Sequence, residues 1–253
     1  MLAIERRREI MTILQEQKSV LVSNLSKKFH VTEETIRRDL EKLEREGLVK
    51  RTYGGAVLSE SISIDLPFDV REITNIEEKK TIASKAAQFI EDGDTLMMDS
   101  SSTALQLTEY IKKKKNITVI TNSVKMILDL NNAENVRVIC TGGDLRHSNL
   151  SFVGHISEKV IKSYHVDKTI ISCKAVNMEK GILESNDSEA YVKRAMVERA
   201  QSTYLLLDNS KFDRMSFVNI TGFDSIHTIF TDKKLSRDWE QFCQEKGIKI
   251  VYS

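Results

Sequence analysis

Apolar residues recur at helical spacing in three segments near the start of the chain, at positions 4–14, 22–29 and 36–43. In each segment the apolar residues fall on one face and polar residues fill the others, which is typical of amphipathic helices. Thr32 precedes the third segment and suits the N-cap position, because its hydroxyl can accept a hydrogen bond from the first turn. The pattern therefore predicts three helices, and Gly47 marks the end of the third.

Two short strands are predicted directly after the third helix. Positions 48–53 have strand character, Gly54-Gly55 forms a turn, and positions 56–58 return as a second strand. Three helices followed by a small hairpin are typical of a winged helix-turn-helix. We therefore predict such a domain at residues 1–58.

The pattern changes after this first domain. The stretch from Ser59 to Ile76 lacks helical periodicity and contains Pro67, the only proline, so we predict a linker at residues 59–75. Residues 76–253 then alternate between apolar strand patterns and helix patterns. This alternation predicts a larger three-layer α/β domain with a mainly parallel sheet.

Seven strands and six helices are predicted in the second domain. The strands are Thr95 to Met98, Ile117 to Ile120, Val136 to Cys140, Thr169 to Cys173, Thr203 to Leu207, Ile226 to Phe230 and Ile248 to Tyr252. The helices are Glu77 to Glu91, Thr103 to Lys114, Ser123 to Leu130, Ile156 to Ser163, Ser188 to Ala200 and Leu235 to Lys246.

Composition and charge fit a folded protein with two unlike parts. The 253-residue chain is 40% hydrophobic and 30% charged, which excludes a disordered or collagen-like chain. Residues 1–57 contain 12 Lys and Arg against 9 Asp and Glu, whereas the remaining residues contain 26 against 28. This difference indicates that the two parts bind different partners, and the modestly basic first part is a candidate for nucleic-acid contacts.

Several classes of protein are disfavoured by missing motifs. The three cysteines are far apart and the histidines have no zinc-type spacing, so we expect no metal site and a reducing compartment. Dinucleotide and P-loop motifs are missing, and we expect no cofactor. The N-terminus lacks the apolar core of a signal peptide, and no apolar stretch approaches the roughly 20 residues of a spanning helix. We therefore expect a cytoplasmic protein with no membrane partner.

The third predicted helix offers side chains that suit DNA. With its apolar stripe facing inward, the outward and flanking residues are Glu34, Thr35, Arg37, Arg38, Glu41 and Arg45. Arginine can bind guanine edges or phosphate, and this helix is the one that enters the major groove in helix-turn-helix proteins. An ordinary solvated helix face would show the same charges.

A longer run of residues decides between these interpretations. The run comprises Leu25-Ser26, Phe29, Val31-Thr32, Glu34-Thr35-Ile36-Arg37-Arg38-Asp39-Leu40, Leu43-Glu44, Gly47, Arg51 and Gly54-Gly55-Ala56. It resembles the DNA-binding domain of the DeoR family of bacterial transcription regulators. Thr32 replaces a common Ser and Tyr53 a common His, and both keep the local role. The DNA-contacting residues that we predict are Ser26, Thr32, Glu34, Thr35, Arg37, Arg38, Arg51, Tyr53 and Gly54.

The resemblance continues through the second domain and covers nearly the whole chain. The residues that match the family there include Arg71, Asn75, Glu77, Lys80, Ile82, Ala83 and Asp92-Gly93-Asp94. It implies a sensor domain that resembles sugar-phosphate isomerases in fold and binds a phosphorylated sugar.

The first candidate for that ligand is the loop Asp99-Ser100-Ser101-Ser102-Thr103. Here a strand ends in an acidic residue, and small hydroxyl residues open a helix whose free backbone amides could bind an anion. A Ser-rich turn with Thr103 as a helix cap is the alternative. The resemblance favours the anion site.

Further candidates follow other strands, where open α/β sheets bind their ligands. They are Asn122, Ser123, Gly142, Gly143, Lys174, Asp208, Ser210 and Lys211. Each also has a structural alternative as a helix cap, a tight turn or a solvated lysine. Glu189 and Lys193 lie four residues apart on a predicted helix, and either reach the pocket or pair with each other.

These patterns predict a sequence-specific DNA-binding transcription regulator. We expect a homodimeric or homotetrameric repressor of a carbohydrate-utilisation operon that leaves double-stranded operator DNA when a phosphorylated sugar binds. One alternative is a sugar-phosphate isomerase-like enzyme that uses Asp99, Glu189 or Lys211 as acid–base groups. Another is an adaptor whose winged helix binds protein. The DNA-binding run disfavours both, so we expect no enzymatic activity.

Overall fold

The computed structural model describes residues 1–58 and 66–253 and divides into two compact units, Met1–Thr74 and Asn75–Ser253. The helices are α1 Ala3–Gln17, α2 Val22–Phe29, α3 Glu33–Arg45, α4 Phe68–Ile73, α5 Ile76–Ala87, α6 Ser102–Leu105, α7 Thr108–Ile111, α8 Val124–Leu130, α9 His155–Lys162, α10 Asp187–Val197 and α11 Arg237–Glu245. The strands are β1 Ser19–Leu21, β2 Val49–Thr52, β3 Gly55–Leu58, β4 Thr95–Met98, β5 Ile117–Thr121, β6 Val136–Cys140, β7 Asp144–Arg146, β8 Ser151–Val153, β9 Val166–Ile171, β10 Ala175–Asn177, β11 Gly181–Glu184, β12 Ala200–Leu207, β13 Val218–Thr221, β14 Thr228–Thr231 and β15 Lys249–Tyr252.

The first unit contains the predicted winged helix-turn-helix. Its helices α1, α2 and α3 bury one hydrophobic core, in which the predicted stripe of Ile36, Leu40 and Leu43 lies. Strands β2 and β3 form the predicted hairpin, and β1 adds a third strand that we did not predict. Gly55 makes this addition possible, because a Cβ atom there would lie 2.0 Å from the carbonyl oxygen of Val20 in β1.

Helix α4 lies within the segment that we expected to be a linker. Its residue Val70 is buried in the same core as α1 to α3, and Asp69 pairs with Arg8 of α1. A six-residue helix is too short to show helical periodicity, which is why the sequence pattern missed it. Residues 59–65 of the expected linker lie outside the described residues.

The second unit is built on a seven-stranded parallel sheet with the order β15-β14-β12-β9-β4-β5-β6. Each of the seven predicted strands overlaps one of these strands. Side chains alternate across the sheet, so Tyr204 packs on Phe89 after α5, whereas Leu205 packs with Trp239 of α11. Helices therefore cover both faces, and the predicted α/β fold class is confirmed.

The structure differs from the predicted elements at several places. The hairpin β7–β8 and the antiparallel sheet β10-β11-β13 were not predicted, because none of their short strands has more than two consecutive aliphatic or aromatic residues. The helix predicted from Thr103 to Lys114 is divided into two short helices, α6 and α7. At the break, the amide of Leu107 donates to the carbonyl of Ala104, three residues earlier, and the Thr108 hydroxyl competes for the carbonyl of Leu105. Strand β9 stops at Ile171, because the amide of Ser172 donates to Asp99 instead of to a neighbouring strand.

Within residues 1–58 and 66–253, none of the helices combines the length and the apolar character that crossing a membrane requires.

Candidate DNA-binding surface and sensor pocket

Helix α3 presents the predicted DNA-contacting side chains on its solvent face. It begins at the N-cap Thr32, whose hydroxyl accepts a hydrogen bond from the amide of Thr35 at 3.2 Å. Glu33 and Glu34 occupy the first turn, where the helix dipole favours anions. Arg37 and Arg38 follow on the exposed face. The buried stripe orients this face outward, and the cap sets where the helix begins.

Both arginines form ion pairs with glutamates of the same helix. Arg37 pairs with Glu33 at 2.5 Å and Arg38 with Glu34 at 3.2 Å, each one turn apart. Such exposed pairs contribute little to stability. A phosphate or a guanine edge can therefore replace the carboxylate at low cost.

A buried ion pair holds α3 against α1. Asp39 of α3 accepts from Nε of Arg6 at 2.5 Å and from Nη1 of Arg7 at 3.3 Å. Arg6 and Asp39 are both buried, so Arg6 would be an uncompensated charge without Asp39. These arginines therefore position the helix rather than extend toward a ligand.

The remaining predicted contacts lie on the turn before α3 and on the wing. Ser26 donates to the carbonyl of Val31 at 2.6 Å, so its hydroxyl braces the turn between α2 and α3. In the wing, Arg51 pairs with Glu44 at 2.6 Å. Tyr53 is fully exposed beside Gly54, whose φ of +80° forms the tight turn of the hairpin.

In the second unit, the predicted ligand residues lie at the carboxyl ends of the parallel strands. They follow the carboxyl ends of β4, β5, β6, β9 and β12, which are adjacent strands in the sheet. We call this region the sensor pocket. Its members are Asp99 to Thr103, Asn122, Ser123, Gly142, Gly143, Ser172, Lys174, Asp208, Ser210 and Lys211, with Glu189 and Lys193 of α10.

Lys193 forms the first polar cluster of the sensor pocket. Its ammonium lies 2.5 Å from Glu184 and 3.2 Å from Asp99, and it donates to the carbonyl oxygen of Ser172 at 2.9 Å. Burial opposes the charge of Lys193, but Glu184, Asp99 and Glu189 outweigh it and raise the pKa of this lysine. Lys193 therefore remains a cation that joins β4, β9, β11 and α10.

Glu189 forms a second cluster and does not share its carboxylate with Lys193 as a direct pair. It accepts hydrogen bonds from Ser100 at 3.2 Å, from Asn149 at 2.6 Å and from Ser151. Arg146 lies 3.6 Å away. Of the two alternatives for Glu189 and Lys193, direct pairing is not what the structure shows, because each side chain is buried with separate partners.

Asp208 forms a third cluster after β12. It accepts from the amide of Ser210 at 3.1 Å and from the side chain of Asn75 at 3.3 Å, and Lys211 lies 4.0 Å away. Burial opposes ionisation, but Lys211, the Ser210 hydroxyl and Lys79 outweigh it and lower the pKa of Asp208. Asp208 is therefore an anion at neutral pH.

The loop from Asp99 to Thr103 is buried and partly occupied by its own hydrogen bonds. Asp99 accepts from the amide and the hydroxyl of Ser101, and the Ser101 hydroxyl accepts from the amide of Ala104. Helix α6, which follows, has only four residues, so its dipole is weaker than the predicted longer helix would supply. Ser102 and Thr103 lie in its first turn.

The other predicted pocket residues have identifiable structural roles. Ser123 caps α8 by accepting from the amide of Met126 at 3.2 Å. Gly143 has a φ of +115°, and a Cβ atom there would lie 2.6 Å from the carbonyl oxygen of Val153. The main-chain amide of Lys174 donates to Leu183 at 3.0 Å, which places this lysine opposite β11.

Two buried asparagine side chains have carbonyl oxygens that receive no hydrogen bond from the described residues. The Oδ1 atoms of Asn122 and Asn149 are buried and accept no hydrogen bond from any residue that the structure describes. Buried acceptors are nearly always satisfied in folded proteins. Both side-chain oxygens therefore suit a ligand that brings hydrogen-bond donors.

Sequence patterns missed several of these residues. Asn149, Ser151 and Arg146 lie on or beside the β7–β8 hairpin, whose three-residue strands carry no clear period. Glu184 ends the short strand β11. The only local hint was the Gly142-Gly143 turn, which directs the chain into this hairpin.

Cys173 borders the Lys193 cluster but is shielded from solvent. Burial, followed by the nearby Glu184 carboxylate, raises the pKa of its thiol to about 12. Its Sγ donates to the carbonyl of Ala175 at 3.3 Å. Because the thiolate is the nucleophilic form, this cysteine has a structural rather than a reactive character.

Similarity to solved structures is limited. Ribose 5-phosphate isomerase A from Methanocaldococcus jannaschii aligns with a TM-score of 0.41 and 14% identity over 55% of each chain.

Similarity to known sequences is far greater. The chain matches the DeoR-like helix-turn-helix domain over residues 6–62 and the DeoR C terminal sensor domain over residues 74–233. It is 40% identical over 251 residues to the uncharacterised HTH-type transcriptional regulator YulB of Bacillus subtilis, covering 99% of this chain and 97% of that protein. The L-fucose operon activator of Haemophilus influenzae is 34% identical over 96% of this chain and 97% of its own length. The glycerol-3-phosphate regulon repressor of Escherichia coli is 31% identical over 90% of both chains.

The two matched domains coincide with the two kinds of architecture in the structure, a winged helix-turn-helix and a parallel α/β sheet. The relatives match almost from end to end and are named as transcriptional regulators. This protein therefore belongs to the DeoR family of transcriptional regulators.

Proposed function

We propose that this regulator is a repressor that binds operator DNA through α3 and the wing, and leaves it when a phosphorylated sugar enters the sensor pocket. The observation that carries the ligand class is the pair of buried acceptors on Asn122 and Asn149, of which Asn149 also donates to the carboxylate of Glu189. Sugar hydroxyls are donors that match such acceptors. Two relatives are named for fucose and glycerol-3-phosphate regulation, which supports a carbohydrate ligand.

The charges of the pocket suggest how such a ligand is oriented. Asp99, Glu184 and Glu189 outnumber the cations Lys193 and Arg146 in the buried clusters, so a phosphate is disfavoured there. We expect the hydroxyl-bearing end to face Glu189 and Asn149. The phosphate then lies toward Lys211, outside the clusters around Lys193 and Glu189.

The sign of regulation is part of this proposal. The relatives include both an activator and a repressor, so the family alone leaves both directions open. We favour a repressor because several relatives are named as repressors and one as an activator. An isomerase activity has no specific observation in its favour, and the relatives are named as regulators.

The test is a thermal-shift screen of the full chain with pairs of phosphorylated and unphosphorylated sugars. A ligand that binds the folded protein raises its melting temperature by mass action. We expect stabilisation by a phosphorylated sugar, and at least tenfold weaker binding in Lys211→Met. Lys234→Met is the matched control, because Lys234 also lies 4.0 Å from a carboxylate but outside the pocket.

Gel-shift titration with operator fragments completes the test. The stabilising sugar phosphate is expected to lower operator affinity in the wild type and in Lys234→Met. Equal stabilisation by both sugar forms, or unchanged binding in Lys211→Met, would refute the proposed ligand class.

A further inference from the structure

Three consecutive arginines on α1 connect the recognition helix α3 to helix α4. Arg6 and Arg7 pair with Asp39 of α3, and Arg8 pairs with Asp69 of α4 at 2.5 Å. One turn of α1 thus holds α3 and α4 at the same time. Arg8 and Asp69 are partly exposed, so this pair can change without a large desolvation cost.

The packing of α4 strengthens this connection. Val70 of α4 lies in the hydrophobic core that contains Ile10 of α1 and Leu40 of α3. Densely packed interiors transmit displacement because they cannot deform continuously. A shift of α4 therefore changes how α1 supports the recognition helix.

Shortly after α4, the chain reaches a residue that contacts Asp208 of the sensor pocket. Helix α4 ends at Ile73, and Asn75 is the first residue of the second unit. The Asn75 side chain donates to Asp208 at 3.3 Å, and its carbonyl accepts from the amide of Lys79 in α5. Only Thr74 separates α4 from Asn75 along the chain.

We propose that Asn75 is a positioning residue that couples the sensor pocket to the recognition helix through α4 and the three arginines. A ligand that engages Lys211 alters the charge around Asp208 and thereby its hydrogen bond with Asn75. The change passes along the backbone to α4, then through Arg8 to α1 and through Arg6 to Asp39. This inference rests on the proposed function for the identity of the ligand, but the path itself requires no sugar.

Thermodynamic reciprocity allows a test without a ligand. If the pocket affects DNA binding, then DNA binding affects the pocket by the same factor. The experiment measures hydrogen exchange of the amides at residues 208–211 in the full chain, with and without operator DNA selected from a random pool. In the wild type we expect DNA to change these exchange rates by about fivefold or more.

The variant that tests the path is Asn75→Gly. Asn75 has a φ of +52°, and glycine adopts this backbone without strain, so only the side chain that binds Asp208 is lost. Asn116→Gly is the matched control, because Asn116 has a φ of +56° and lies on the surface outside the pocket. In Asn75→Gly we expect DNA to change the exchange rates at residues 208–211 by less than twofold. In Asn116→Gly we expect DNA to change them as much as in the wild type.

Asp69→Asn provides a second, independent test of the same path. It removes the charge that Arg8 binds, at a partly exposed site where the fold tolerates substitution. We expect operator binding to persist while the response at residues 208–211 is lost. A response of wild-type size in Asn75→Gly or Asp69→Asn, or none in the wild type, would overturn the proposal. If the wild type responds to DNA but no sugar phosphate stabilises it, the coupling stands and the proposed ligand class fails.

Discussion

Arg38 and Arg45 occupy equivalent surfaces of the same helix and differ mainly in their position along it. Both are 77% exposed, and each pairs with a glutamate four residues earlier. Arg38 lies in the second turn of α3, whereas Arg45 is its last residue. In helix-turn-helix proteins the N-terminal part of this helix meets the base edges. Position rather than local chemistry should therefore separate their roles.

We predict that Arg38→Ala lowers affinity for the operator by about 1–3 kcal/mol, the range for a bidentate guanine contact. Arg37→Ala should lower affinity for all sequences and reduce the salt slope by about 0.9, because it removes a phosphate contact. Fluorescence anisotropy with operator and scrambled DNA measures both effects. Arg45→Ala is the control. An equal loss of discrimination in Arg45→Ala would contradict the assignment of Arg38.

At the scale of elements, the pocket depends on how β4 and β9 are joined. These central strands lead to Asp99 and Ser172. At their other ends, Asp167 of β9 accepts from the amide of Thr95 at 2.8 Å and from its hydroxyl at 2.6 Å. Parallel strands have no turn to set their register. A side-chain pair of this kind helps to set it.

The Asp167 pair makes a pH-dependent contribution. The hydrogen bonds from the Thr95 hydroxyl and amide lower the pKa of Asp167. A carboxyl whose folded pKa is lowered stabilises the protein above its unfolded pKa of about 3.9, and this stability is lost as pH falls through the folded value. Urea unfolding of Asp167→Asn should therefore show its largest deficit near neutral pH and a smaller one in acid.

Thr95→Val serves as the partner in a double-mutant cycle with Asp167→Asn. It removes the hydroxyl donor and keeps the amide donor. The two substitutions should be less than additive at neutral pH. A deficit in Asp167→Asn that stays constant across the acid range would refute the assigned cause.

At the scale of the whole molecule, the low charge of one DNA-binding domain predicts assembly. A net charge of +3 over residues 1–57 gives few cations for phosphates, and several of its arginines are engaged in ion pairs. Two copies that bind together gain affinity through their high effective concentration. Specific binding should therefore require at least two copies of the chain.

We predict two half-sites separated by a multiple of about 10.5 base pairs, which places them on one face of the duplex. Sedimentation gives the assembly state at micromolar concentration, and footprinting gives the half-site spacing. Inserting about half a helical turn between the half-sites should weaken binding strongly, whereas a full turn should weaken it less. A monomer with a single half-site footprint would exclude this arrangement.

The strongest local patterns predicted the framework of both domains. Ile36, Leu40 and Leu43 repeat at helical spacing, and the Thr32 cap that precedes them is present in the structure. Central strands of the parallel sheet contain short continuous apolar runs, such as residues 96–98 and 205–207, because helices cover both faces of the sheet. Short elements such as α4 and β7 were not predictable, because a few residues cannot establish a period.

Local sequence therefore determined the fold class, the family and the set of polar loops at the end of the sheet. Only the tertiary structure decided how these polar groups pair. Lys193 joins Asp99 and Glu184 instead of the neighbouring Glu189, and Glu189 joins Asn149 from a hairpin 40 residues away. Such choices depend on which side chains converge at the buried edge of the sheet. Helical spacing places two residues on one face, but it does not show which more distant groups meet them there.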